Sequence, residues 1–244
     1  MSGADAADHA GAADASADAC GLTARLERGF AVVSGGGGRL VTGALPPAAV
    51  SAGGWRPLGR LPLLPGRWTD WLRRALMPDR FRLRLNEVSA GATVWLSDGS
   101  QPFVTWLDAA PGLPLRVVTE RLLACPWSSR GGSRLVRVVP GSLRGALCVT
   151  ELPDGWCVVS TASRVLPLDV AAGEALEVDC GALVAWRGER VRVSGVCGRL
   201  RLRDVLLPRL PQTLRLRLEG PCRVWVQGTR LEPSARTAHR RARP

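Results

Sequence analysis

Only two histidines occur in the 244 residues, His9 and His239, one near each end of the chain. A Ser-His-Asp triad, a Cys-His pair or a histidine-based metal site needs an imidazole held inside a fold. Both histidines read instead as solvated tail residues, which removes most hydrolytic mechanisms in one step. Four consecutive glycines, Gly35 to Gly38, invite a phosphate-loop reading. Arg39-Leu40-Val41 follows them where such a loop needs Gly-Lys-Ser/Thr, and no G-x-G-x-x-G register fits, so the run reads as a flexible turn. The seven cysteines are Cys20, Cys125, Cys148, Cys157, Cys180, Cys197 and Cys222, an odd number with no C-x-x-C pair. A disulfide framework or a zinc ribbon is therefore a poor reading. Most sit among apolar neighbours, as in Leu147-Cys148-Val149, and read as small buried hydrophobes in a reducing compartment. No metal, cofactor or catalytic residue is expected.

Arginine and tryptophan offer the remaining chemistry. All 33 basic residues are arginine, and the formal net charge is +12. A GC-rich coding sequence that replaces lysine accounts for this without any selection for phosphate recognition. The charge still attracts polyanions weakly and without specificity at low salt. Arg199, Arg201 and Arg203 alternate with apolar residues, as do Arg215 and Arg217, so two strands would present these five on a common face. Beside the nine tryptophans, that face could stack and pair with single-stranded RNA. The blander alternative is a solvated arginine face, with the tryptophans filling the core and the joins between modules.

The elements that would carry these residues are mostly strands. A helix is predicted over 68–77, where Trp68, Trp71, Leu72, Ala75 and Leu76 keep helical spacing and Pro78 ends it. From residue 80 onward the apolar period is two, in 80–85, 190–193, 199–203 and 214–218. Turn signals such as Asp98-Gly99, Pro111-Gly112 and Asp154-Gly155 separate the strands at short intervals, the pattern of a sandwich or barrel. No stretch approaches a membrane span, and the N-terminus lacks a secretory signal.

The strands repeat. Residues 107–124 lie on 168–185 at a constant offset of 61 without a gap, with eight of eighteen positions identical, among them Asp108/Asp169 and Gly112/Gly173. Arg116 and Glu177 also fall at equivalent places. Repetition points to structural roles for the two aspartates, such as bonding to backbone amides at a turn, rather than to a catalytic dyad. A turn followed by a short apolar strand returns three times, placing Val94, Val158 and Val224 in line at offsets of 64 and 66. In the first copy the Leu-Asp…Gly element is degraded, and Leu45-Pro46-Pro47 is its nearest remnant.

Residues 168–186, LDVAAGEALEVDCGALVAW, resemble a PGE…VD.G.LVAF segment of the altered-inheritance-of-mitochondria family, and 218–230, LEGPCRVWVQGTR, resemble its closing GPG.V.LQ.R strand. That family is similar in fold to the tryptophan RNA-binding attenuation protein. The resemblance covers 80–230 and departs at Cys222, where the second turn glycine is lost. It implies an all-β fold of repeated, shortened double-stranded β-helix modules that are β-sandwich-like. It also implies a homo-oligomer, with a trimer favoured, and supplies no reaction. Bacterial members are expected to be cytoplasmic and eukaryotic ones mitochondrial.

The expected organisation is a disordered acidic tail over 1–24 and a degenerate first module over 25–98. A second module follows over 99–160, a third over 161–230, and a basic tail over 231–244. The expected function is that of a non-enzymatic structural or interaction protein. The alternative is an RNA- or polyanion-binding protein that uses the arginine faces.

Overall fold

A computed structural model describes residues 21–43, 47–51, 54–61, 83–99, 101–109, 112–128, 132–137, 146–188, 191–197 and 214–228. The helix predicted over 68–77 lies outside them. Within them the chain is nearly all strand, apart from a 3₁₀ turn at Thr119–Arg121. No helix among the described residues is long and apolar enough to cross a membrane.

The first seven strands are β1 (Leu22–Glu27), β2 (Phe30–Gly35), β3 (Gly38–Thr42), β4 (Ala49–Val50), β5 (Trp55–Arg60), β6 (Arg84–Val88) and β7 (Thr93–Leu96). The next six are β8 (Phe103–Ala109), β9 (Leu115–Val118), β10 (Leu122–Pro126), β11 (Gly132–Arg137), β12 (Ala146–Leu152) and β13 (Gly155–Thr161). The last six are β14 (Val165–Val170), β15 (Ala175–Asp179), β16 (Leu183–Arg187), β17 (Arg192–Cys197), β18 (Leu214–Glu219) and β19 (Cys222–Gln227). The acidic tail assigned through residue 24 therefore ends earlier. Leu22, Ala24 and Leu26 alternate with Thr23, Arg25 and Glu27, and the apolar set packs inward.

Four antiparallel sheets result, with strand orders β1-β2-β7-β4, β5-β6-β3-β10-β13-β8, β11-β12-β9-β16-β19-β14 and β15-β18-β17. One rule places every strand except β1. Each six-strand set sends its first, sixth and third strands to one sheet (β2-β7-β4, β8-β13-β10, β14-β19-β16). It sends its second, fifth and fourth strands to the next sheet (β3-β6-β5, β9-β12-β11, β15-β18-β17). The two middle sheets are thus hybrids, joined at seams where β10 pairs with β3 and β16 pairs with β9. Three apolar cores fill the spaces between successive sheets. One contains Leu40, Val94 and Trp156, the second Val41, Leu115 and Cys157, and the third Trp186, Leu216 and Val224.

Cross-strand register carries the repeat in detail. Leu122 faces Val159 and Ala124 faces Val158 across a bulge, and Leu183 faces Val226 and Ala185 faces Trp225 across a bulge at the same place. Leu107 lies opposite Cys157, and Leu168 lies opposite Val224. The 61-residue offset thus holds for β8/β14 and β10/β16, whereas β13 and β19 are 67 apart. That alters the alignment of Val94, Val158 and Val224. Val158 points into the core between the first two sheets, away from its own set, while Val94 and Val224 point into the cores of theirs. A one-residue change in turn length reverses every side chain of a strand, and turn-anchored alignment cannot see it. The first strand of the first set is β2, at Phe30–Gly35, so Leu45-Pro46-Pro47 is not the remnant of that element.

Candidate functional site

Of the five arginines predicted to form a cationic face, Arg199, Arg201 and Arg203 lie outside the described residues. Arg215 and Arg217 stand exposed on β18, alternating with the buried Leu216 and Leu218. Antiparallel pairing fixes their neighbours. Arg215 lies opposite Asp179 of β15, and Arg217 lies between Glu177 of β15 and Ser194 of β17. Glu219 lies between Ala175 and Arg192. Arg215 Nη1 approaches Glu177 Oε2 at 3.9 Å, and Arg217 Nε approaches Glu219 Oε1 at 3.8 Å. Among the described residues this outer face therefore sets Arg192, Arg215 and Arg217 against Glu177, Asp179 and Glu219. Charge is balanced over this described part of the face. No tryptophan lies on β15, β17 or β18. Trp225 instead points to the second core, under Arg187, whose guanidinium carbon sits 5.7 Å from the ring centre.

The repeat-equivalent aspartates are each engaged by a side chain, not by turn amides. Asp108 Oδ1 accepts the indole N–H of Trp106 at 2.7 Å, and that indole stacks on Trp156 with ring centres 4.8 Å apart. Asp169 takes both arms of Arg223, at 2.6 and 2.8 Å. The Arg223 hydrogen bonds hold the Asp169 carboxyl below its ordinary range, with the charges of Arg223 and Arg187 adding to the effect. One carboxylate that does bind a turn amide is Asp179, whose Oδ1 accepts from Gly181 N at 2.7 Å. Its place two residues before a glycine, in Asp179-Cys180-Gly181, was the available signal.

Five of the cysteines are withdrawn from solvent. Cys125, Cys148, Cys157, Cys180 and Cys222 are buried and unbridged. Burial pushes the Cys157 thiol well up, and the neighbouring Cys125 and Asp108 add to this. A thiol held protonated is a poor nucleophile. The glycine run forms a tight junction rather than a phosphate cradle. Gly36 N donates to Gly21 O at 2.8 Å, Gly91 N donates to Gly35 O at 2.9 Å, and a Cβ on Gly35 would strike Gly21 O. Among the described residues no group of His, Cys, Asp or Glu is placed to hold a metal ion, and both histidines lie outside them.

Two features were not found by sequence reasoning. One is the ion pair between Arg116 and Glu151, in which Arg116 Nε donates to Glu151 Oε2 at 3.2 Å and Arg116 Nη1 donates to Gly188 O at 2.9 Å. The other is a pair of edges, at opposite ends of the sheet series, that no described strand pairs with. In the first sheet β4 is the last strand, and in the fourth sheet β15 is the last strand. These are the third-strand and second-strand positions that meet at both internal seams.

No protein-family model and no curated protein matches the sequence. Among solved structures, the crystal structure of protein SPYM3_0169 from Streptococcus pyogenes is similar at a TM-score of 0.63 and 16% sequence identity. The match covers 90% of this chain and 98% of that one, so the likeness is one of fold across nearly the whole of both.

Proposed function

We propose that this chain is a non-enzymatic structural or interaction protein that works as a homo-oligomer, with a trimer favoured, in the cytoplasm. The observation that carries the reading is the state of the two end sheets. The two middle sheets are hybrids of six strands, whereas the fourth sheet has three strands and the first has one such triplet plus β1. Each end thus holds one half of the hybrid that the internal pattern builds. Unpaired strand edges recruit other strands, and a second copy supplies the matching half.

Several buried polar side chains support the same reading, because they are spent on the fold. Gln227 accepts from Ala162 N and donates to Gly181 O, Thr119 bonds Thr150, and Asn86 bonds Thr42. Size-exclusion chromatography with light scattering at micromolar concentration tests the proposal. A mass of several chains is expected, and a strictly monomeric species overturns it.

A further inference from the structure

We infer that the copies join head to tail, with the free edge of β15 in one chain pairing antiparallel with the free edge of β4 in the next. This rests on the homo-oligomer reading and names its joint. The chain makes the same joint twice internally. At the β3–β10 seam Val41 lies opposite Cys125, and at the β9–β16 seam Arg116 lies opposite Trp186. By pairing, Val41 with Leu85, Arg116 with Glu151 and Glu177 with Arg217 are one position seen three times. Glu177 is therefore the residue on β15 that corresponds to the seam residues Val41 and Arg116.

The backbone of β15 is aimed accordingly. Gly220 N donates to Glu174 O, so the main-chain groups of Glu174, and by alternation those of Leu176 and Val178, turn towards β18. Those of Ala175 and Glu177 turn to the free side. At the internal seam, Gly43 N donates to Leu123 O and Arg39 O accepts from Trp127 N, so the intervening Val41 turns towards β10 in the same way. Edge residues of β15 thus present the same groups that Val41 has already satisfied.

The side chains fit as well. At the internal seams the core side of one half-sheet is continuous with the outer side of the other, as Thr42 and Ala124 show. By that rule the core side of β15, with Leu176 and Val178, continues into the outer face of the first sheet. On that face Val32, Trp95 and Ala49 lie in register, with Val32 already buried within the chain and Phe30 37% exposed, while Arg25 and Glu27 of β1 flank Val32 and Phe30 on the far side from β4. A second copy would extend the third core onto Trp95 and Ala49, beside β4. The joint uses different surfaces on the two chains, so it closes into a ring if the rotation allows.

Two measurements test the joint. First, Glu177→Pro removes an edge-facing N–H without touching the β15–β18 ladder, while Glu177→Ala keeps that N–H. Light scattering should find Glu177→Pro reduced to single chains and Glu177→Ala at the wild-type mass, both with unchanged near-ultraviolet circular dichroism. Second, hydrogen exchange on the wild-type oligomer should protect the amides of Ala175 and Glu177 as strongly as that of Arg116. This holds even where the proline variant fails to fold. An oligomer in which those two amides exchange like exposed edge groups, or one that survives Glu177→Pro, overturns the joint and leaves the assembly reading standing. A monomeric wild type overturns both.

Discussion

At Asp169 the cross-strand neighbour is Arg223, whereas at Asp108 it is Trp156. That difference decides what each carboxylate does, although the two hold matching places in the repeat. The Arg223 guanidinium meets Asp169 with two parallel hydrogen bonds, the geometry that favours the ionised acid. A carboxyl whose folded value is depressed contributes stability that is fully present above the unfolded value, about 3.9 for aspartate. That contribution is lost as pH falls through the lower folded value. Because both side chains are well exposed, solvent screens the pair and the effect on stability is small. Carbon-detected NMR titration should find the Asp169 midpoint below those of unpaired aspartates, and Arg223→Gln should return it to the ordinary range. An ordinary midpoint in the wild type would show that the fork is open in solution.

One cross-strand position takes a different pair of residues in each of the three strand sets. In the first set it is the apolar pair Val41 and Leu85, packed at the second core. In the second it is Arg116 and Glu151, with the arginine side chain only 11% exposed. In the third it is Glu177 and Arg217, both exposed. The same backbone thus accepts hydrophobes or an ion pair, according to what covers it. Removing one partner of a desolvated pair strands the other charge, whereas replacing both by hydrophobes of similar size is often neutral. Glu151→Leu alone should therefore cost roughly 2–3 kcal/mol, and Arg116→Val with Glu151→Leu should fall within about 1 kcal/mol of wild type. Urea unfolding of the four proteins of the cycle measures this, and strict additivity would mean the pair is not coupled. Strand type was legible at such positions, since Arg215-Leu216-Arg217-Leu218 states its period openly. The neutralising Glu177 and Asp179 were legible too, by the same alternation, but pairing them with Arg217 and Arg215 requires knowing that β15 lies beside β18. That adjacency is a long-range fact with no local signal, as is the one-residue shift of β19 set by turn length. β1 was hidden for a different reason: its six-residue alternation follows directly on an alanine- and aspartate-rich run whose composition dominates any window that spans both.

The whole molecule carries a formal charge of +12, yet the described outer face of the fourth sheet is neutral. These two facts separate background attraction from a built binding site. A chain this basic will hold single-stranded RNA at low salt whether or not any surface is shaped for it, because neutralising phosphates releases counterions. Such binding weakens steeply with ionic strength, with a log–log slope of about −0.7 per phosphate contact on single strands. Arg215 and Arg217 already face carboxylates, so they have little charge to offer a phosphate. Replacing both by glutamine should leave the salt slope nearly unchanged, whereas two genuine phosphate contacts would lower it by about 1.4. Fluorescence anisotropy with a labelled oligonucleotide, read across about 50 to 200 mM salt, measures both quantities. Binding of the wild type should vanish within that range, while the light-scattering mass stays constant, since the strand joint proposed between copies depends on backbone hydrogen bonds and apolar burial rather than on exposed charge. If affinity instead survived at the upper salt and fell selectively in the double variant, the arginine face would be a true RNA surface and assembly would be secondary to it. If mass and RNA binding fell together with salt, charge would be holding the copies together, and the β15–β4 joint would be the wrong account of what the end sheets are for.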